Sequence, residues 1–168
     1  MTMQEAVSLI TRMISFAVLL QGMDSMTFVV LLSCVFLGFF PDEPKVQFTF
    51  LWYIALQATF SYVIAGLSKA KTKNWWNDKE ISLLMNQTSY AIPSKVKKIL
   101  SRPLTAKISS IALIVFELSF PLAFINKQFA VVYISAAAVF HLINFYVLGL
   151  NRFFFAWIAS YPAIYFLS

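Results

Sequence analysis

The chain has 168 residues, of which 60% are hydrophobic, 17% aromatic and only 12% charged. About a quarter of the residues of a soluble globular domain are charged, so this composition indicates a chain whose solvent is the lipid bilayer. The formal net charge is +6, but nine of the thirteen basic residues fall between Lys69 and Lys107, beside apolar runs. This distribution favours contact with anionic lipid headgroups and argues against nucleic acid as the partner.

Six apolar runs define the predicted architecture. A membrane-spanning helix needs roughly 20 predominantly apolar residues, and the runs that reach or approach this length lie at about 6–23, 25–40, 44–67, 104–125, 128–150 and 152–167. The second and the sixth are short, so we expect them to be tilted or re-entrant. The predicted fold class is therefore all-α: one polytopic integral membrane bundle over residues 1–168, with about six transmembrane or re-entrant helices.

Several breaks separate these runs. The first run contains Arg12 and lacks a small-residue cleavage pattern, so we interpret it as a retained helix rather than a removable signal peptide. The turn "PDEPK" precedes the third run, where Pro44 suits the first turn of a helix. Pro121 is expected to kink the fourth helix. Cys34 is the only cysteine, which excludes an intramolecular disulfide.

The only extended polar region is a basic loop at about 69–107. It contains two amphipathic pieces, "DKEISLLMNQ" and "KVKKIL", that we expect to lie on the membrane surface. The lysines of the second piece could contact the phosphate groups of lipids; they are Lys95, Lys97 and Lys98. The excess of positive charge predicts a cytoplasmic loop, with both termini on the opposite side.

Motifs of soluble enzymes are absent from the sequence. It has no glycine-rich phosphate loop, no CxxC and no GxSxG, and its single histidine excludes a multi-histidine metal centre, so no metal is predicted. What remains is a sparse set of polar residues within or at the ends of apolar runs. These are Gln57, Ser61 and Tyr62 in the third run, Lys69 just after its end, Glu117 in the fourth, and His141 and Asn144 in the fifth.

The third run carries a candidate binding face. Tyr62, Ala65, Gly66 and Lys69 follow at intervals of three and four, so they share one side of a helix. The two small residues among them would let a ligand or a neighbouring helix approach closely. This face suits a pocket.

The other polar residues lie deep in their runs. His141 and Asn144 are one helical turn apart, which predicts an imidazole and an amide side by side. Glu117 lies more than two turns into its helix, so it is expected to be either paired or protonated.

Each of these residues also has a purely structural interpretation. Lys69, followed by Trp75 and Trp76, has the pattern of an interfacial anchor with an aromatic belt. Glu117 could serve only to hold two helices together, and His141 could be a buried histidine whose hydrogen bonds are satisfied locally. Residue types and spacing leave these alternatives open.

The combination of motifs resembles one known family. The segments "QATFSYVIAGLSKAKTKNWWND", "FELSFPLAFI" and "AVFHLINFYVLGLNRFFFAWIASYP" are similar, in order and approximate spacing, to the horizontally transferred transmembrane domain family of vitamin K-dependent gamma-glutamyl carboxylase-like proteins. The resemblance covers about residues 48–162. It implies a shortened member that lacks the family's luminal substrate-binding domain.

The resemblance implies a quinol-dependent carboxylation. In that family a lysine base deprotonates a reduced quinone, oxygen adds, and the strong base that results removes a carbon-bound proton before carbon dioxide adds. Lys69 falls on the base position, while Glu117 and His141 fall on the acidic and Phe-His positions and complete the predicted catalytic set. Tyr62, Gly66, Trp75 and Asn144 are the predicted contacts to the substrate or to a menaquinol-like or vitamin K-like quinol. The substrate would be a peptide or a small carboxylate, and the location an inner membrane.

Two other functions stay open at the level of sequence. One is a non-catalytic membrane partner, such as a maturation, export or immunity protein that binds a peptide through the same helix face. The other is a small quinone-binding subunit of a redox complex. A soluble or membrane partner subunit fits either.

Overall fold

The computed structural model describes residues 25–87 and 92–168, with the side chains of 25, 151 and 152 left undescribed. Throughout these ranges the chain forms helices and turns and contains no strand. The helices are α1 (Ser25–Phe39), α2 (Pro44–Lys71), α3 (Lys79–Asn86), α4 (Ser94–Leu100), α5 (Pro103–Ser119), α6 (Lys127–Leu148) and α7 (Asn151–Leu167), with 3-10 turns at Lys73–Trp76 and Phe120–Phe124. The predicted helical class is confirmed. The apolar run predicted at 6–23 lies outside the described residues.

Three of the helical segments are long and apolar enough to cross a membrane: Pro44–Lys71, Pro103–Phe124 and Lys127–Leu148. Two further helices are apolar but shorter, Met26–Phe39 and Phe153–Leu167. All five coincide with predicted runs. The largest difference is in α2, which continues four residues beyond the predicted end at 67, so Lys69 lies inside its last turn.

The helix ends follow from local sequence. Pro44 is in the first turn of α2, where its missing N–H is not needed. Pro121 ends the regular part of the fourth segment, because α5 stops at Ser119 and a 3-10 turn continues to Phe124. The helix α6 ends at Gly149, whose positive φ of 69° is a left-handed conformation that glycine adopts readily.

The helix α2 is central to the packing. It contacts α1, α5 and α7, while α6 packs on α7 and on the Phe120–Phe124 turn. The main apolar core lies among these elements and includes the fully buried Tyr53, Phe120 and Ile164. A second, smaller core forms where Ile81 and Met85 of α3 meet Ala106 of α5. The two amphipathic pieces of the basic loop thus fold as α3 and α4 against the start of α5.

Many large apolar side chains point outward rather than into these cores. On α6 they include Val131, Val132 and Val139, and on α7 Phe155 and Phe166. Buried hydroxyl groups are mostly satisfied within their own helix: Ser33 donates to Val29 O, and Thr59 donates to Ala55 O. Ser61 of the predicted polar set likewise donates to the carbonyl oxygen of Gln57.

Candidate functional site

A lysine and a glutamate from two helices form the first polar centre. Lys69 lies in the last turn of α2 and Glu117 near the end of α5, and the Lys69 Nζ donates to both carboxylate oxygens at 2.8 Å. The side chain of Glu117 is 4% exposed and that of Lys69 19% exposed. The hydrogen bonds are charge-assisted, and a buried pair is screened by salt and solvent less than a surface ion pair. Glu117 is therefore paired, one of the two alternatives that its sequence position left open.

Gly66 allows the two helices to come this close. A Cβ atom at this position would lie 3.0 Å from the Cβ of Glu117 and 3.0 Å from the side chain of Leu118. The close approach predicted for this helix face thus occurs, and the neighbour is helix α5. Because Gly66 has no side chain, the backbone of α5 can lie near enough for the Glu117 carboxylate to reach Lys69.

The two tryptophans after α2 contact different groups. The Lys69 Nζ lies 5.4 Å from the centre of a Trp75 ring, within the range of a cation–π contact. Trp76 instead donates its indole N–H to the carbonyl oxygen of Ala70 at 2.8 Å, which satisfies a carbonyl in the last turn of α2. Trp75 thus belongs to the first centre, and Trp76 closes the helix end.

A second polar centre lies closer to the middle of α2. The Tyr62 hydroxyl is 2.8 Å from Nε2 of His141 on α6 and 3.3 Å from the hydroxyl of Tyr161 on α7. The three residues are 3%, 4% and 5% exposed, respectively. Tyr62 and Lys69 are seven residues apart, so about 10 Å along the helix axis separates the two centres.

Aromatic rings enclose this second centre. Trp157 stacks on the His141 ring, with centroids 4.9 Å apart, and Phe120 stacks on Tyr62 at 4.0 Å. Sequence reasoning missed Trp157 and Tyr161. A signal was present, since they are four residues apart and so share one face of the last helix.

A cavity of about 500 Å³ lies between α5 and α6, beneath α3 and the end of α4. Its walls are mainly apolar, with Ser109 and Asn144 as polar members, and it includes the predicted Trp75. Further wall residues are Ile81, Leu84, Met85, Leu100, Leu113, Phe116, Ala136, Phe140, Ile143, Val147 and Leu148. The other predicted site residues, Lys69, Glu117, Tyr62, Gly66 and His141, lie outside these walls.

Two phenylalanines separate the cavity from the second centre. Phe116 lines the cavity and packs edge-on against Tyr62 at 5.7 Å, and Phe140 lines it and packs edge-on against His141 at 5.1 Å. Asn144 lines the cavity, whereas His141 bonds to Tyr62, so the expected pairing of imidazole and amide does not form. Trp75 connects the cavity to the Lys69–Glu117 pair.

The fold and these centres define a class: a helical protein with membrane-length segments, a buried Lys–Glu pair and an adjacent apolar cavity. Within residues 25–87 and 92–168 no group of three or more His, Cys, Asp and Glu side chains is placed to hold a metal ion. Comparisons with protein-family models, with curated proteins and with solved structures each give no match. The resemblance to the horizontally transferred transmembrane domain family stays a prediction.

Proposed function

We propose that the protein is a polytopic integral membrane protein of the carboxylase-like transmembrane domain family, with about six spans or re-entrant helices. Three segments of sufficient length support this proposal, together with the outward-facing apolar side chains of α6 and α7. Such side chains are stable against lipid, while the backbone polar groups are satisfied within the helices. The inner membrane is the proposed location.

We further propose that Lys69, held by Glu117, is the base of a quinol-dependent enzyme. The observation that carries this proposal is the ion pair in which one ammonium group meets both oxygens of a buried carboxylate. A bound hydroquinone would supply a phenolic proton and the electrons for reaction with oxygen. Lys69 accepts a proton only as the neutral amine, so its ammonium proton would first pass to the Glu117 carboxylate, which also fixes the position of Nζ. The Lys69 amine would then receive the phenolic proton of the hydroquinone.

The cavity between α5 and α6 is the proposed site for the apolar ring of the quinol. Its volume of about 500 Å³ falls within the ~300–1,000 Å³ common for small-molecule sites. Trp75 and Phe116 would contact a flat ring, and Ser109 and Asn144 would offer hydrogen bonds to its oxygens. Trp75 also contacts Lys69, so a ring held there would lie next to the proposed base. The second substrate is a peptide or a small carboxylate, as the family resemblance implies.

The experiment is quinol-dependent oxygen uptake by the purified protein in lipid. We expect Lys69→Ala to abolish uptake while expression and membrane insertion stay intact. The matched control is Lys71→Ala, because Lys71 is in the same helical turn but is exposed. Uptake that survives in Lys69→Ala would contradict the proposed base, and loss of insertion would show an anchor.

A variant of the cavity wall tests the proposed quinol site separately. Ala136→Leu adds bulk to the wall, whereas Val139→Leu places the same leucine side chain at an outward-facing position of α6. We expect the first change to raise the quinol concentration needed for half-maximal uptake and the second to leave it unchanged. Equal effects would place the quinol elsewhere.

The second candidate function is a non-catalytic membrane partner. It is favoured by the fact that Lys69 is already engaged by both Glu117 oxygens and by Trp75, as a lysine that only holds two helices together would be. Such a protein would show no uptake with a quinone verified to be reduced. Peptide binding that survives Lys69→Ala would then support this candidate. A quinone-binding redox subunit would bind quinone but need a partner oxidoreductase to reduce it.

A further inference from the structure

His141 presents an unsatisfied nitrogen in the interior of the helical bundle. Its Nε2 is 2.8 Å from the Tyr62 hydroxyl, but its Nδ1 is fully buried and has no hydrogen-bond partner among the residues that the structure describes. Buried polar groups are nearly always hydrogen-bonded, so an atom of this kind points to a missing partner. Ser110 Oγ is the other such atom in the described part of the chain.

The hydrogen bonds to Tyr62 determine which imidazole nitrogen carries the hydrogen. In one arrangement Tyr161 donates to Tyr62, Tyr62 donates to Nε2, and the hydrogen of His141 is on Nδ1. Both short contacts of the Tyr62 hydroxyl, to Nε2 and to Tyr161, are then hydrogen bonds, and one buried donor, the Nδ1–H, lacks an acceptor. If the hydrogen is on Nε2 instead, a tyrosine hydroxyl hydrogen and the Nδ1 lone pair both lack partners. The first arrangement leaves fewer groups unsatisfied.

We propose that Tyr161, Tyr62 and His141 form a directed hydrogen-bond chain that holds the Nδ1–H tautomer and presents this N–H to an acceptor oxygen of a bound ligand. The ligand atom is a carbonyl or carboxylate oxygen, which accepts a hydrogen bond and has no hydrogen of its own to give. His141 is thereby a donor that contacts the ligand, and Tyr62 and Tyr161 are positioning residues. This inference rests on the proposed function only in taking that ligand to be the substrate or its quinone.

The cavity between α5 and α6 is the space nearest to His141 from which a ligand would reach Nδ1 in this proposal. Phe140 forms part of the cavity wall and contacts the His141 ring edge-on, so this one aromatic ring lies between the cavity and the imidazole. Trp157 stacks on the imidazole and keeps its plane fixed while Phe140 moves. A ligand in the cavity would therefore need only the displacement of the Phe140 ring to reach the imidazole.

The chain contains a single histidine, which permits a direct test. Protein labelled with ¹⁵N-histidine in lipid gives one pair of ring-nitrogen signals, whose chemical shifts identify the protonated nitrogen. We expect hydrogen on Nδ1 and none on Nε2. Hydrogen on Nε2, or on both nitrogens, overturns the proposal without recourse to any variant.

Variants test the direction of the hydrogen bonds from Tyr161 through Tyr62 to His141. Tyr62→Phe removes the donor to Nε2, so the single tautomer should become a mixture. Tyr165→Phe is the control, because Tyr165 is on the same helix as Tyr161 but is 45% exposed. An unchanged tautomer in Tyr62→Phe would overturn the positioning role. Lys69→Ala should leave the nitrogen signals unchanged, so this proposal and the proposed base can fail independently.

The ligand is tested with two probes, 2-methyl-1,4-naphthoquinone for a carbonyl oxygen and propionate for a carboxylate oxygen. We expect one of them to shift the Nδ1 signal at saturation, and Phe140→Ala to lower the concentration needed at least several-fold. A shift with the quinone assigns the oxygen to a carbonyl, and a shift with propionate assigns it to a carboxylate. No response to either probe, in wild type and in Phe140→Ala, overturns the assignment of this donor to a ligand.

Discussion

Removing one partner of the Lys69–Glu117 pair should cost more when the lysine is removed than when the glutamate is neutralised. Lys69→Met leaves a carboxylate that is 4% exposed and has lost both hydrogen bonds from the Lys69 ammonium. Breaking a buried pair in this way costs about 3–5 kcal/mol. Glu117→Gln leaves an ammonium that is 19% exposed at a helix end, where it can extend toward water and still donate to the amide oxygen. We expect a cost of about 1–2 kcal/mol for that change.

The double variant Lys69→Met/Glu117→Met, compared with Lys69→Met and Glu117→Met alone, isolates the interaction. Removing both charges and keeping the volume should bring stability to within about 1 kcal/mol of wild type, because the desolvation cost disappears with the attraction. The measurement is reversible unfolding by sodium dodecyl sulfate in mixed micelles, followed by tryptophan fluorescence. A cost for Glu117→Gln above that for Lys69→Met would refute this reasoning. So would a double variant whose cost equals the sum of the costs of Lys69→Met and Glu117→Met.

Three further predictions concern the helix contact, a helix end and the surface. Gly66→Ala should destabilise the protein by about 1–2 kcal/mol in the same unfolding assay, because overpacking against Glu117 outweighs the better helix propensity of alanine; an increase in stability would contradict the close helix contact. Gly149→Ala should cost about 1 kcal/mol from its positive φ alone, since open space surrounds its Cβ position, and a cost near zero would show that α6 ends differently. Lys97→Gln/Lys98→Gln should reduce the quenching of tryptophan by brominated phosphatidylglycerol relative to brominated phosphatidylcholine, whereas an unchanged ratio would argue against a role in binding anionic lipid.

The positions of the described helices were largely predictable from sequence, because apolar run length determines which segments can be buried in lipid. Pro44 was expected in the first turn of a helix, where the structure has it, and Pro121 at a kink, where the regular helix gives way to a 3-10 turn. The extension of α2 to Lys71 was not predictable in this way. Lysine is a good helix former, so its charge marks the end of the apolar run but not the end of the helix.

The partners of the polar residues were harder to predict. The depth of Glu117 in its run indicated a paired or protonated carboxyl, but the choice of Lys69 depends on how α2 and α5 pack. His141 bonds to a residue 79 positions away, and local spacing carries no information on such a contact. The adjacency of His141 and Asn144 suggested a shared site. The structure directs the His141 side chain to Tyr62 and the Asn144 side chain to the cavity. Three residues turn the helix by about 300°, which is less than a full turn, so the two side chains point in different directions.

The proposed base is tested most directly by chemical rescue of Lys69→Ala with small primary amines. In lipid, with a verified reduced quinone, the variant should show no oxygen uptake on its own. Added ethylamine should restore uptake in proportion to its concentration and should have no effect on wild type. Rescue would assign the proton-accepting role to the amine of Lys69. Wild-type uptake that Lys69→Ala retains without added amine would contradict the account.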